Sequence, residues 1–300
     1  RKLGQEDEIA TYLHNIGLVY YEWGQYDKAI KYFEESLTIA RKLGQENAIA
    51  GVLNSIGRIH ELWGQYDKAI KYYEEALNIN IKLSNPDGIT MGLRHIGLVY
   101  HDLGRYDEAI KYLEGALTIS RKLNREEDVA NASNDIGHVY RTLGQYDEAI
   151  KYYEETLTIT RKLNMEANIA IALNNIGGVY YSLKDYRKAV TYFLESVALK
   201  EKLRKTAKGD IRRDYLESQL DTYQYLISAY LRLSDFGNAF STIELSRAKL
   251  LAEQISGSED VSIPSIKEIQ KAMPEKSAVL IFANMSRTDK IVMAITKEGI

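Results

Sequence analysis

The six-residue phrase RKLGQE stands at Arg1 and again at Arg41, and variants of it return as IKLSNP at Ile81, RKLNRE at Arg121, RKLNME at Arg161 and a decayed EKLRKT at Glu201. The spacing is forty residues throughout. Self-similarity at a fixed period of this length restricts the chain to architectures in which one supersecondary unit stacks on copies of itself. Within each unit the apolar positions keep helical spacing, as in Leu13, Ile16 and Tyr20 and then Ala29, Tyr32, Phe33, Ser36 and Ile39. That pattern predicts two amphipathic helices of about four turns each, separated by segments such as WGQYD. Gly24, Gly64, Gly104 and Gly144 follow the first helix, and Gly44, Ser84, Asn124 or Asn164 follows the second. Glycine and asparagine tolerate best the left-handed backbone that closes a helix. Each unit is therefore a predicted helical hairpin.

Gly17, Gly57, Gly97, Gly137 and Gly177 fall inside the first helix, where glycine costs about 1 kcal/mol relative to alanine. A cost incurred in every unit calls for a packing reason. The expectation is close approach to the partner helix, with the small Ala29, Ala69, Ala109, Ala149 and Ala189 opposite. On these residues, from about Leu13 to Leu203, the units resemble tetratricopeptide repeats: Leu, then Ile-Gly three residues on, then Tyr, a turn with Tyr, then Ala and an aromatic. Two departures stand out. The period exceeds the common thirty-four, as in the longer repeats of kinesin-light-chain-like proteins, and the proline usual after the second helix is absent, so that helix runs on through ARKLG.

The resemblance implies an all-α fold, a right-handed superhelical solenoid whose first helices line a concave groove that holds a protein or peptide partner. Carried over position by position, the groove residues are His14, Asn54, Arg94, Asn134 and Asn174, with Asn15, Ser55, His95, Asp135 and Asn175 beside them. Arg58, His138, Tyr21, Glu61, His101, Arg141 and Tyr181 continue the same face, so four of the five histidines are expected toward the groove. Asparagine offers both a donor and an acceptor, which suits an extended peptide backbone. Relatives that clamp a C-terminal carboxylate use lysine, asparagine and arginine at set positions where this chain has His14, Leu18, Ser55 and His95, which argues against a chaperone clamp.

Composition narrows the remaining classes. The chain has 300 residues, net charge −3, three prolines and no cysteine, which describes a well-folded protein without disulfides, thiolate metal sites or a cysteine nucleophile. No run of eighteen apolar residues suggests a membrane span, and a cytosolic protein is the default expectation. The charges are interspersed, which disfavours direct nucleic-acid binding. No pair of histidines has the i, i+4 spacing of a helical zinc site, and neither a metal nor a cofactor is expected. Tyrosines at Tyr26, Tyr66, Tyr106, Tyr146 and Tyr186 keep the repeat register, which marks them as packing residues.

A divergent sixth hairpin keeps Tyr230, Phe236 and Ala239 while Ile227 replaces the signature glycine. It follows a basic stretch with Arg204, Lys205, Lys208, Arg212 and Arg213, read as a solvated helix extension. After Ile255 come a polar linker, a short amphipathic helix between Pro264 and Pro274, and two apolar segments, AVLIFAN and KIVMAIT, predicted as strands. The division is thus 1–203 for the repeats, 204–256 for the sixth hairpin as a cap, and 257–300 for an α/β segment. The last sixty residues resemble the opening of the CHAT domain, a caspase-like module that follows tetratricopeptide repeats in bacteria. That resemblance implies a catalytic histidine and cysteine C-terminal to Ile300, so no residue of this chain is a catalytic candidate. It implies the sensor arm of a larger protease, and in some relatives the partner is a large RNA-guided effector complex. The alternative is a non-enzymatic adaptor whose tail only caps the repeats.

Overall fold

In a computed structural model of the chain, the described residues are 2–206, 209–255, 278–284 and 290–296. They form α1 (Lys2–Glu22), α2 (Tyr26–Leu43), α3 (Glu46–Leu62), α4 (Tyr66–Lys82), α5 (Pro86–Asp102), α6 (Tyr106–Lys122), α7 (Glu126–Thr142), α8 (Tyr146–Lys162), α9 (Glu166–Ser182), α10 (Tyr186–Thr206), α11 (Gly209–Arg232) and α12 (Phe236–Ile255). Two strands follow, β1 (Ala278–Asn284) and β2 (Lys290–Thr296). They pair antiparallel from Ala278 with Thr296 to Asn284 with Lys290. The helix predicted between Pro264 and Pro274 lies outside the described residues. Two compact units divide the chain, residues 1–144 and 145–300.

In the first unit α1 pairs with α2, α3 with α4 and α5 with α6, while α2, α4 and α6 each also pack on the first helix of the next hairpin. The first helices α1, α3, α5 and α7 touch in sequence. In the second unit α8 packs on α9, α9 on α10, α10 on α11 and α11 on α12. The result is a tetratricopeptide-like helical stack, as the period predicts.

Helix ends follow the residues set aside for them. Gly24, Gly44, Gly64, Gly104 and Gly144 take φ between 66° and 74°, and Ser84, Asn124 and Asn164 take φ of 50° to 54°. Where no side chain caps the next helix, backbone bonds such as Gln25 N–H to the Tyr20 carbonyl, 2.8 Å, close the turn. Asn85, Asp185 and Asp235 use their side chains, accepting from the Gly88, Lys188 and Asn238 N–H groups at 3.3, 3.1 and 3.2 Å, and Asn85 has Pro86 at the first helical position. Proline there loses no bond and pre-sets the helical φ.

The glycines inside the first helices do require a close neighbour, but a different one from that expected. A Cβ on Gly17 would stand 2.5 Å from the Phe33 ring, one on Gly57 2.8 Å from the Tyr73 ring, and one on Gly177 2.7 Å from the Phe193 ring. It is the ring four residues beyond each alanine that fills the space. Ala29, Ala69 and Ala189 are themselves fully buried, and they let the helices come close enough for the rings to reach. A Cβ on Gly97 would meet Leu113 at 2.8 Å and the Ala109 carbonyl oxygen at 3.2 Å.

Tyrosines hold each hairpin on its outer side: Tyr20 stacks on Tyr32 with centroids 5.3 Å apart, Tyr100 on Tyr112 at 5.4 Å and Tyr180 on Tyr192 at 5.5 Å. In the second unit Leu226, Tyr230 and Ala239 of α11 and α12 join Ala189 and Phe193 of α10 in one buried cluster, so the divergent hairpin continues the stack. One expectation fails here. Arg204, counted with the solvated basic stretch, is only 2% exposed and pairs with Glu201 at 3.0 Å. It occupies the register position of Gly44 and Asn164, and α10 runs on past it where the earlier second helices turn.

Candidate functional site

The first helices place their polar residues on the side away from the second helices, because a forty-residue step returns each side chain to the same face of the next hairpin. In the first unit this face carries His14, Asn15, Asn54, Arg58, Arg94, His95, Asn134, Asp135 and His138. Asn15 is exposed, and His14 is half-buried, 3.4 Å from the Ser55 hydroxyl and edge-on to Phe33 at 5.4 Å. Burial lowers the His14 pKa below the ordinary histidine value.

Arg58 donates from Nε to the Tyr21 hydroxyl at 2.8 Å. The Tyr73 hydroxyl in turn donates to the Glu61 carboxylate at 2.7 Å. Desolvation pushes the Glu61 carboxyl up, and the Tyr73 hydrogen bond and the Arg58 charge hold it partly back. His95 lies flat on the Tyr73 ring at 4.9 Å. Its burial, with the positive Arg94 and Arg58 nearby, lowers its pKa to about 4. A histidine so placed is neutral at physiological pH and offers a ring face and a donor rather than a charge.

Arg94 of α5 and Asp135 of α7 form the strongest polar link between hairpins. Nε donates to Oδ2 at 2.9 Å, and a second guanidinium nitrogen lies 2.8 Å from the same oxygen. Asp135 is 9% exposed and pairs with Arg94 of the neighbouring helix. Desolvation raises its pKa, offset by Arg94 and by a hydrogen bond from Asn134. His138 stacks obliquely on His101 at 4.7 Å. Its pKa falls to about 4 through burial first and then the charge of Arg141. The Thr142 hydroxyl joins the pair, bonding the His138 carbonyl at 3.0 Å and His101 Nε2 at 3.1 Å. In the second unit Asn174 accepts from the Thr222 hydroxyl at 2.9 Å, and Tyr181 shares a hydrogen with Ser228 at 2.6 Å. Asn175 is half-buried on the same helix.

Sequence reasoning placed these residues on one face but did not find how they pair. The Tyr73 link to Glu61 was missed, although a tyrosine at a core position that holds Phe33, Leu113 and Phe193 in other hairpins brings a hydroxyl into the core. His60, the histidine left out of the groove, is buried and stacks on Tyr72 at 5.3 Å, in the register of the Tyr20–Tyr32 pair. Chemically the face supplies amide, hydroxyl, imidazole and guanidinium groups, with the Thr142 hydroxyl against His101 and the Ser55 hydroxyl against His14. Asn54 keeps an enclosed side-chain oxygen with no hydrogen-bond partner. Among the described residues no group of three or more histidine, aspartate or glutamate side chains could hold a metal ion, and no helix is long and apolar enough to cross a membrane.

A tetratricopeptide repeat family profile matches residues 8–82, 89–162 and 128–202. No curated protein matches the chain. Among solved structures, the chain is similar to BtubC (BKLC) from P. vanneervenii, at 26% identity and a TM-score of 0.66 over 79% of this chain and 94% of that one. A Rap protein complexed with competence and sporulation factor is similar in fold, at 18% identity and a TM-score of 0.58 over 82% of this chain and 76% of that one. So is a signal transduction ATPase with numerous domains that carries a tetratricopeptide repeat sensor, from Pyrococcus horikoshii, at 18% identity and a TM-score of 0.64. That match covers 86% of this chain and 40% of the other. With hairpins of one register packed in order and the profile running over most of residues 8–202, the chain belongs to the tetratricopeptide repeat family.

Proposed function

We propose that the polar face of α1, α3, α5 and α7 in the first unit binds an extended segment of a protein partner. One observation carries this reading. Beneath that face the buried positions recur in register, as in Ile56, Ile96, Ile136 and Ile176, while the positions above them change from His14 to Asn54, Arg94, Asn134 and Asn174. Stacking dictates the first set and leaves the second free for recognition. Arg58 and Asn15 provide accessible contacts on this face. The Rap protein, whose structure holds competence and sporulation factor, and the ATPase, whose repeats are described as a sensor, support a binding or sensing role by likeness of fold.

On this reading the chain is an interaction scaffold, acting in the cytoplasm as the regulatory arm of a larger caspase-like protein, with a large effector complex among its partners. Residues 1–203 are the binding stack, 204–256 join it to the tail, and 257–300 open a CHAT-like α/β domain. The β1–β2 pair supports the last point, since two strands alone are marginal in water and need a further partner. Peptide mapping of the native protein tests it: peptides with a histidine and then a cysteine C-terminal to Ile300 support the protease arm, and a native C-terminus at Ile300 leaves an adaptor. The binding face is tested by a photo-crosslinking residue at Asn54 or Asn134 and, as control, at Lys71 on a second helix. Crosslinks to a protein partner from the first two positions are expected. Crosslinks from Lys71 alone would refute the assignment.

A further inference from the structure

Along the forty-residue register the position of Lys200 in α10 is held by Ala40, Asn80, Ser120 and Thr160 in the earlier second helices, all of them buried and none of them charged. Lys200 is itself only 6% exposed. A buried ammonium is costly unless its protons meet acceptors. Here Nζ donates to the Thr222 hydroxyl of α11 at 2.9 Å, and that hydroxyl donates to Asn174 Oδ1 of α9 at 2.9 Å. Thr222 is fully buried, so a polar chain runs from the core to the polar face of α9, within the second unit. Burial lowers the Lys200 pKa to about 8 while the charge of Asp221 holds it up, which leaves the amine mostly protonated at neutral pH.

The chain of hydrogen bonds has a direction. An ammonium has protons and no acceptor, and a hydroxyl has one proton. Thr222 therefore accepts from Lys200 and directs its proton to Oδ1. Turning the Asn174 amide over would bring a second donor to a hydroxyl that already accepts from Nζ, and would remove the acceptor for its proton. Asparagine in water offers either end of its amide, but this one is held with Oδ1 inward. Its Nδ2 has no hydrogen-bond partner among the described residues, and Asn174 is only half-buried. The surroundings are apolar or small. Ile171, three residues before, is 49% exposed, and Gly178, four residues after, stands where other first helices carry Leu18, Arg58, Leu98 and His138. Residues three and four apart share a helix face. On α11, three residues beyond Thr222, Tyr225 is 47% exposed and lies edge-on to Tyr181 at 6.1 Å.

We propose that Asn174, flanked by Ile171 and Tyr225, is a binding site of the second unit for a peptide carbonyl with an aliphatic side chain beside it, and that Lys200 and Thr222 are the positioning residues that make Asn174 a donor. The carbonyl oxygen accepts from Nδ2, and the aliphatic group packs on the exposed apolar surface next to it. A ligand that offers only donors is rejected, because it meets Nδ2 while Oδ1 is already engaged by Thr222. The site stands apart from the first-unit face proposed above. Failure of crosslinking at Asn54 and Asn134 would leave it in place, and its own failure would leave that face.

The test measures two probes against the full chain by saturation-transfer NMR observed on the probe. N-acetyl-leucine N-methylamide carries the carbonyl and the aliphatic group, and isopentylamine keeps the aliphatic group but offers only donors. Saturable binding of the amide, and a clear preference for it over the amine, are expected. Asn174→Asp presents acceptors only and should reverse that preference. Thr222→Val frees the amide to turn either way, so the amide-to-amine affinity ratio should fall roughly fivefold, the worth of one hydrogen bond. Lys200→Met should lower the ratio in the same direction, and Thr222→Ser, which keeps the hydroxyl, should restore it. A merely structural role for Thr222 or Lys200 would shift both affinities together and leave the ratio alone. Absence of saturable amide binding, a ratio unchanged in both Thr222→Val and Lys200→Met, or an Asn174→Asp variant that still prefers the amide overturns the proposal.

Discussion

Glycine-to-alanine replacement inside these helices should change stability with opposite sign at two sites that look alike in sequence. At Gly115, inside α6, an added Cβ would meet Leu93 Cδ1 at 3.5 Å, an ordinary contact. Only the gain in helix propensity acts there, about 0.5–1 kcal/mol of stabilisation. At Gly57, inside α3, the Cβ would stand 2.8 Å and 2.9 Å from two carbons of the Tyr73 ring. That ring is fully buried and its hydroxyl is tied to Glu61 at 2.7 Å, so it cannot swing clear. Overpacking costs about 1–3 kcal/mol and outweighs the same propensity gain, for a net loss of about 1–2 kcal/mol. Urea unfolding followed by far-UV circular dichroism reads both, with the midpoint expected to rise for Gly115→Ala and fall for Gly57→Ala. In a Tyr73→Ala background the Gly57→Ala penalty should vanish, because the clashing atoms are gone. Midpoints that move in the same direction, or a penalty that survives the loss of the ring, would refute the account of why glycine stands there.

Three further outcomes are expected. Arg94→Met should destabilise the first unit by about 2–3 kcal/mol, less than a fully buried pair because Arg94 keeps 27% side-chain exposure; Asp135→Asn should cost less, since the amide oxygen still accepts from Arg94, and calorimetry of both variants checks the order. Because His95 has a folded pKa near 4 against an ordinary 6.5, the unfolded chain takes up the proton first as pH falls; stability is therefore level above about pH 6.5 and declines toward pH 4, by at most about 3 kcal/mol from this group, and His95→Phe should flatten that part of the pH profile of the melt. Arg41→Ala and Arg161→Ala should each cost no more than about 0.5 kcal/mol, a loss that disappears when the melt is repeated in high salt, because both pairs are half exposed.

The sequence made the hairpins legible because period, amphipathic spacing and turn residues all point to one unit, and Asn124 or Gly44 in the left-handed conformation is a local requirement that needs no tertiary information. The packing reason for Gly17 was legible only in part. Sequence spacing identifies a close approach, but which partner atom fills it depends on how far the ring of Phe33 reaches across the interface, and that is a property of three-dimensional packing. The same holds for Asp135. Its register puts it on the first-helix face, yet Arg94 lies forty-one residues earlier, and no local pattern shows that the two side chains meet and withdraw from solvent. Local structure also yields to context at RKLGQE. At Arg41 the phrase ends α2 and turns at Gly44, whereas at Lys2–Glu6 it is continuous helix within α1.

Recurrence and variation divide each first helix by face, and the division follows from what each face touches. The side toward its own hairpin partner must admit a large apolar side chain against a glycine, a ring at Gly17, Gly57 and Gly177 and Leu113 at Gly97, so the glycine returns unchanged. The side toward the preceding second helix must be apolar, so Ile49, Val52, Ile56 and Ile59 have apolar counterparts in Ile9, Tyr12, Ile16 and Val19 even where no helix covers them. The remaining side bears no stacking constraint, and there the chain changes asparagine to arginine and serine to histidine from one hairpin to the next. In an array held together by nearest-neighbour contacts, substitutions on that third side cost the stack least where no side chain bridges to the next hairpin. Arg94 with Asp135, Arg58 with Tyr21 and His101 with Thr142 do bridge, and at those positions the polar face is also a strut between hairpins.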